Sequence, residues 1–521
     1  MLTVHLSIVV FLPLAAAVLA AFLPARVGRW LVVAATVGVL GYAVAMIADY
    51  EPGTTGLKYV TDDNWISELG VRYQLGVDGL NLFLIALTAL LWVPCTIWGA
   101  LRSGSGARAI DDRAALLPPE RPRLFMFHMA LAETAVLGAF CAQDLALFVV
   151  FFDLMLVPFY FLIGGWGDGD RVRATTAFVI YTLVGSLLML AGAIALGVLS
   201  AGDAEVSFSF AVLEQRTLGE GTQQWIFCLF AAAFLVKAPL FPLHGWVVDT
   251  YRATPVAVLV LLSAVLSKVG VYGFLRIVLP ILPDASAHFQ DLMLVLAVIS
   301  ILYGSVLAFS QSEPRLVVAY SSIAQLGFIV LGIFSLTDIG AQGALMQMVN
   351  HGLVVAPLFF IIAALTARAG GSPTLEQMGG MALRAPVLAA LFLVVTLATL
   401  AMPGSPNFVG EILILFGAFE DKFVFGVIGA LGVVLAAVYM IRVFQLSMHN
   451  RVGPGAEPGE ARVLELVAIA PVTLVIVALG VYPQLVLDRT EGATAAKVQP
   501  AAAVAGGQPT GAQDEAAEVA P

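Results

Sequence analysis

Apolar residues run along this chain in blocks of about twenty, separated by short polar joints, rather than in short amphipathic stripes. At that length per membrane crossing, the blocks predict helices near 3–23, 30–48, 77–100, 124–142, 145–163, 174–200, 225–247, 255–279, 291–310, 316–336, 341–367, 386–418, 424–446 and 463–484. These make about fourteen spans, an even number, so both ends of the chain lie on the same side. The expected fold is an all-α membrane protein. The first block, Met1 to Leu23, lacks a basic leading region and a small-residue cleavage site, and reads as a retained span rather than a signal peptide. After about residue 489 the chain turns to Ala, Gly, Pro, Gln and Glu, too poor in large apolar side chains to order itself. The expected division is a membrane domain over 1–488 and a disordered tail over 489–521.

Of the 521 residues, 60% are hydrophobic and 12% charged, about half the charged share of a soluble protein, and the mean hydropathy is +0.97. The net charge of −10 belongs to loops and tail, and no basic patch interleaved with aromatics points to nucleic acid. Basic residues in the joints fall into two sets. One holds Arg26, Arg29, Arg102, Arg108, Arg113, Arg121, Arg123, Arg171, Arg173, Arg252, Arg315, Arg368, Arg384, Arg451 and Arg462; the other holds only Lys58, Arg72, Arg216, Lys422, Arg489 and Lys497. The richer set marks the cytoplasmic side, which turns both termini outward. Cys95, Cys141 and Cys228 stand singly, with no CxxC spacing and no His cluster nearby, which excludes a cysteine-ligated iron–sulfur cluster or structural zinc in this chain. No Gly-rich phosphate loop precedes a helix, so nucleotide binding is not expected. Redox chemistry linked to this chain belongs to another one.

An ionisable side chain at mid-membrane costs about 2.5–3.5 kcal/mol on insertion scales, so each one needs a reason. Only five lysines occur, and two of them, Lys237 in LFAAAFLVKAPLF and Lys268 in LLSAVLSKVGVYGF, have apolar residues on both sides. The plain alternative is a fixed ion pair holding helices together, but a buried pair contributes little to stability. Matching acids lie in the neighbouring pair of spans: Asp153 in LALFVVFFDLMLVPFYFLIGGWG and Glu133 in FMFHMALAETAVLGAF. A tight turn near Gln143 and Asp144 joins these spans, so antiparallel packing sets both acids at a similar depth. Asp153 is the expected partner of Lys237. Glu133 either shares that role or is a hydrogen-bonded packing residue.

Two of the spans are broken. Glu411 follows the interrupted run LATLAMPGSPNFVGEILILFG, and Lys237 to His244 read KAPLFPLH. Prolines cannot continue the backbone ladder, so the freed groups need water or neighbouring protein. The breaks are five spans apart, and an odd count reverses direction. They are therefore expected as members of two inverted five-helix repeats, roughly 124–280 and 291–446, with a transport site near the midplane. His351, in QMVNHGLVVAPLFF, sits between the halves amid buried acids and bases; its ordinary pKa of about 6.5 suits a relay at neutral pH. His244, nearer a helix end, is as well suited to anchoring. Moving a carboxylate toward or away from a buried lysine changes which form of the lysine is favoured, and so loads or releases a proton.

The stretches YQLGVDGLNLFLIALT, FFDLMLVPFYFLIGGWG, FLVKAPLFPLHGWVVDTYRATPVAV, VLSKVGVYGFLR, AYSSIAQLGFIVLGI, NHGLVVAPLFF and MPGSPNFVGEILILFG resemble the antiporter-like membrane subunits of bacterial NADH-quinone oxidoreductase, respiratory complex I. The resemblance runs over about residues 1 to 488. It implies that Lys237 and Lys268 are the two pathway lysines and His351 the relay histidine. Glu411 sets the chain apart from the family's chains L and N, which usually carry Lys on the second broken helix. Four features depart from the family pattern. Phe152 and Asp153 stand where Phe-Trp-Glu is usual, and Gln325 stands where a His usually follows Tyr-Ser-Ser. Thr250 and Tyr251 replace a frequent Ala-His, and Val248 a frequent Pro.

The function this implies is that of a proton-translocating membrane-arm subunit without a redox site of its own. Protons would pass Asp153, Lys237, Lys268, His351 and Glu411, with Glu133, His244 and Gln325 as weaker candidates. NADH, flavin, iron–sulfur clusters and quinone are expected in partner subunits, with chains L and N as neighbours in a bacterial plasma membrane. A multi-subunit cation/proton antiporter or a membrane-bound hydrogenase would share the fold and the buried lysines. A stand-alone channel or carrier is the reading from a different class.

Overall fold

The computed structural model describes residues 5–101, 121–454 and 459–506. Arg102, Arg108 and Arg113, residues 3 and 4 of the first expected span, and residues 507–521 of the expected tail lie outside these. In chain order the helices are α1 (Leu6–Ala21), α2 (Ala25–Asp49), α3 (Leu82–Leu101), α4 (Pro122–Cys141), α5 (Leu145–Trp166), α6 (Arg171–Leu199), α7 (Glu220–Lys237), α8 (Val247–Ala253) and α9 (Val256–Ile281). There follow α10 (Gln290–Ser310), α11 (Pro314–Phe334), α12 (Asp338–Arg368), α13 (Pro386–Thr399), α14 (Pro406–Asp421), α15 (Phe423–Met448), α16 (Val463–Val481) and α17 (Gln484–Ala505). Eleven of them, among the described residues, are long and apolar enough to cross a membrane; α1 and α13 are apolar but shorter.

Helix starts fall where the sequence supplies caps. Asp144 Oδ1 accepts from Leu147 N at 3.0 Å, Thr337 Oγ1 from Gly340 N at 3.1 Å and Ser405 Oγ from Phe408 N at 3.4 Å. Pro122, Pro314, Pro386 and Pro406 open their helices, where a missing N–H costs nothing. The centre of the bundle is α9, α11 and α12, surrounded almost entirely by other helices. Around them α2, α6 and α15 turn Val44, Leu187, Ile194 and Val434 outward, as lipid-facing helices do.

Small residues let α12 and α14 cross closely and antiparallel. A Cβ on Gly343 would lie 2.7 Å from Ile414 N, and one on Gly417 would lie 2.6 Å from Gly340 Cα. Two buried arginines lock other helices. Arg276 on α9 makes a bidentate pair with Asp78 at 2.7 Å on both sides, and Arg368 on α12 holds Glu465 at 2.8 and 3.1 Å. Beside the second lock, in the loop before α16, Glu460 accepts from the backbone N–H groups of Val387, Leu388 and Ala461. Burial pushes this carboxyl up, but those three bonds and the nearby Arg368 outweigh it and hold the group below the usual carboxylate range.

Two expectations fail. The chain is not all-α: β1 (Lys58–Ile66) and β2 (Val71–Val77) form an antiparallel hairpin with Asp62 opposite Gln74 and Asp63 opposite Tyr73. These segments are too polar to cross a membrane, and side chains that alternate between faces suit a strand pair outside it. The third span consequently starts at Leu82 rather than 77, after a turn in which Asn81 Oδ1 accepts from Asp78 N at 2.9 Å. Nor is the chain disordered from residue 489. α17 runs on to Ala505 and buries Val486, Thr490, Ala493, Thr494, Val498 and Ala501 along one side. A stripe of Val, Ala and Thr is too small to nucleate order alone, but it fits against neighbours already in place. Arg489 Nε donates to Tyr50 O at 2.9 Å, Gly53 N to Asp488 O at 3.0 Å, and Lys497 pairs with Glu214.

Candidate functional site

The first break sits at the end of α7. Lys237 is its last residue, Ala238 is extended, and regular helix resumes only at Val247. Neighbours take up groups that the break frees: Trp246 Nε1 donates to Val236 O at 3.0 Å, and Phe241 N donates to Ser300 Oγ at 3.0 Å. Lys237 is buried, with Nζ 4.4 Å from the centre of the Phe152 ring. Asp153, next along α5, lies within hydrogen-bonding reach of Ser186 and close enough to Lys237 for their charges to interact. The pair is thus brought together but not into a salt bridge, and the aromatic ring holds the ammonium instead. Glu133 turns elsewhere: its Oε2 accepts from Thr36 Oγ1 on α2 at 3.0 Å. His244 meets Tyr303, with 3.4 Å between Nε2 and the hydroxyl, and stacks near Phe241.

Lys268 lies in the most buried helix, α9, between two π-helical turns at Leu262–Leu266 and Phe274–Val278. A π turn carries an extra residue and commonly marks a functional position. Lys268 Nζ donates to Ser263 O at 2.8 Å and lies 3.3 Å from Ser267 Oγ. It also lies 2.7 Å from His351 Nδ1 on α12. The helices approach here because residue 352 is glycine: a Cβ on it would lie 2.8 Å from Ala264 O. The contact works with the proton on either side, as an ammonium donating to the imidazole or as an imidazole N–H donating to the amine.

The second break covers residues 400–405, where Ala401 has φ 54° and Gly404 φ 93°. Past it, on α14, Glu411 Oε1 accepts from Gln325 Nε2 at 2.9 Å and from Gln347 Nε2 at 3.3 Å, while Gln347 Nε2 also reaches Gln325 Oε1 at 2.8 Å. Gln325 therefore stands beside the acid and orients it without titrating.

Sequence reasoning missed the amides and hydroxyls that complete these sites: Ser186, Ser263, Gln347, Asn350 and Asn407. Each is an ordinary residue of a membrane helix, and only the packing reveals its partners. The Arg276–Asp78 lock had a visible signal, an arginine inside an expected span and an aspartate in the VDGLN stretch.

A family model described as NADH:quinone oxidoreductase/Mrp antiporter, TM matches residues 142–437. NADH-quinone oxidoreductase subunit M of Mycobacterium tuberculosis is 36% identical over 511 residues, 93% of this chain and 92% of the relative. Subunit M of Rhodobacter capsulatus is 33% identical over 501 residues, 93% and 94% of the two chains. Among solved structures, a chain of respiratory complex I from Thermus thermophilus with bound NADH aligns with TM-score 0.82 and 29% identity, covering 95% of this chain and 99% of that one. A chain of the Mrp complex from a Dietzia species aligns with TM-score 0.80 at 22% identity over 96% and 99%, a likeness of fold alone. The chain belongs to the NADH:quinone oxidoreductase/Mrp antiporter family, among the antiporter-like subunits of the M type.

Proposed function

We propose that this chain moves protons in the membrane arm of an NADH:quinone oxidoreductase, driven by electron transfer in other subunits. The observation that carries the reading is the 2.7 Å contact between Lys268 and His351, two titratable groups 83 residues apart in sequence, both buried and joined across two of the central helices, α9 and α12. A proton entering near Asp153 and Lys237 passes to Lys268, then to His351, and leaves by way of Glu411. Each group takes up and gives back a proton, and none is redox-active. NADH, flavin, iron–sulfur clusters and quinone are assigned to partner subunits, and chains L and N to the flanks of this one.

The finer architecture follows from the same reading. The eleven long spans, α1, and the broken pairs α7–α8 and α13–α14 give about fourteen crossings. The segments 124–280 and 291–446 are inverted repeats, each with one break. Arg173, Arg252 and Arg315 form one arginine-rich cluster, in which Arg173 pairs with Asp249, Arg252 with Glu313, and Arg315 donates to Arg252 O. The arginine-rich cluster is assigned to the cytoplasm of a bacterial plasma membrane, and the termini to the outer side. Subunit M relatives at 31–36% identity favour this reading over a cation/proton antiporter subunit.

The test is proton pumping by the reconstituted complex carrying Glu411→Gln, measured alongside NADH oxidation. Both are expected to fall together. Pumping at the parent rate would remove Glu411 from the path.

A further inference from the structure

The two ends of α9 differ in kind. The helix starts beside Arg315, which donates to Arg252 O and Thr254 O, and carries Lys268 near its middle. Arg276 comes eight residues after Lys268, about 12 Å farther along the axis. There Nη1 and Nη2 donate to Asp78 at 2.7 Å each, and Nε donates to Tyr272 Oη at 2.8 Å. Tyr272 Oη in turn donates to Phe140 O at 3.2 Å, an acceptor that Asn81 Nδ2 also reaches at 2.8 Å. Asp78 Oδ1 accepts a further bond from Leu80 N at 3.0 Å. The four side chains are 6% exposed or less, and every polar atom among them has a protein partner. Over them lies α17: a Cβ on Gly79 would lie 2.9 Å from Ala493 Cβ, and α17 packs on Leu279–Ile281 and Pro283–His288, which follow Arg276. The cluster is tightly covered and fully bonded, with no polar atom that calls for water.

We propose that the Arg276–Asp78 pair is a seal that stops protons on the outer side from running back to Lys268. Arg276 thereby fixes the direction of transport without carrying a proton itself. The inference rests on the proton-path reading above and on its assignment of this end of α9 to the outer side. Protons move between groups that take them up and give them back. A guanidinium does not give its proton up, and its fixed positive charge excludes another from its surroundings. Asp78, the acid beside it, has both oxygens engaged by donors. A carboxylate alone at this depth would be an exchangeable step toward Lys268; paired with arginine it is not.

Arg276→Lys tests the seal in the reconstituted, fully assembled complex. Lysine keeps the charge and can still pair with Asp78, so the helices stay tied, but a buried lysine can release its proton. A pH gradient imposed across the vesicle membrane without NADH is expected to decay about threefold faster than in the parent. Arg276→Gln, which leaves Asp78 unpaired, is expected to leak more, on the order of tenfold. Adding Lys268→Met to Arg276→Lys should return the decay to the parent rate, because the leak runs through Lys268. Decay at the parent rate in Arg276→Lys would overturn the proposal and leave the pair a tie between helices. A leak that persists in the double variant would overturn it too, since the protons would then be crossing elsewhere. If Lys268→Met alone stops pumping while Arg276→Lys holds the gradient, only the seal falls. If Lys268→Met pumps normally, the underlying reading falls first.

Discussion

The two broken helices hold their charges in different ways. At the first break, Lys237 ends a helix, rests on the face of Phe152 and feels Asp153 only at a distance. At the second, Glu411 lies on the helix after the break, with one oxygen held by two amides and the other free. The first setting is mainly aromatic, and a lysine there is sensitive to where one carboxylate sits. The second is lined with amides and holds its acid in place whether it is charged or neutral. One end is built to be switched, the other to receive. The locked arginines differ from both: Arg276 and Arg368 are each held in a bidentate pair with one carboxylate, Asp78 and Glu465.

The largest expected effect is at the switched end. Lys237→Ala removes the carrier there and should lower proton pumping by the reconstituted complex about tenfold or more; a loss no greater than that of a partly exposed lysine away from both breaks, such as Lys422→Ala, would break the contrast. Next comes its partner. Asp153→Asn should slow pumping roughly fivefold by removing the charge that biases Lys237. Asp153→Glu, one methylene longer, should stay near the parent rate. An equal loss in both would mean that Asp153 acts by packing rather than by charge.

At the receiving end the expected change is smaller. Gln325→His restores a group with an ordinary pKa of about 6.5 beside Glu411. The maximal pumping rate should change less than about twofold, while the pH profile gains a step near neutrality. An unchanged profile would show that position 325 is off the path even when it can titrate.

The smallest effect lies outside both sites, at Glu460. Its carboxyl is held below its ordinary range, so its contribution to stability is complete above the unfolded pKa and disappears as pH falls through the folded value. Glu460→Gln should therefore lower the melting temperature slightly at neutral pH, and the difference should vanish in acid. A difference that persisted in acid would assign the effect to lost packing.

Much of this was legible in the sequence. Apolar runs marked each of the eleven helices long and apolar enough to cross a membrane, because in lipid the backbone must bond to itself and a helix is the simplest way to do so. Lys237, Lys268 and Glu411 stood out because charge in such a run is costly, and the prolines and glycines around two of them marked the breaks. Other features were hidden for physical reasons. α17 docks through two valines and a run of Ala and Thr, a composition that alone reads as disorder, and the hairpin of β1 and β2 lies in a polar joint. Asn350 and Asn407 showed nothing until α12 and α14 were packed together, since an amide is significant only through what it does or does not meet. Glu133, the weaker candidate, was expected at the same depth as Asp153, but depth does not fix which side of a helix faces the lysine.

The most direct test of the path is Lys268→Met, which keeps the length of the side chain and removes its proton. Proton pumping and NADH oxidation should be measured together in the reconstituted, fully assembled complex. A path through the Lys268–His351 contact predicts that pumping is lost and that oxidation slows with it. Pumping at or near the parent rate, with oxidation intact, would contradict it.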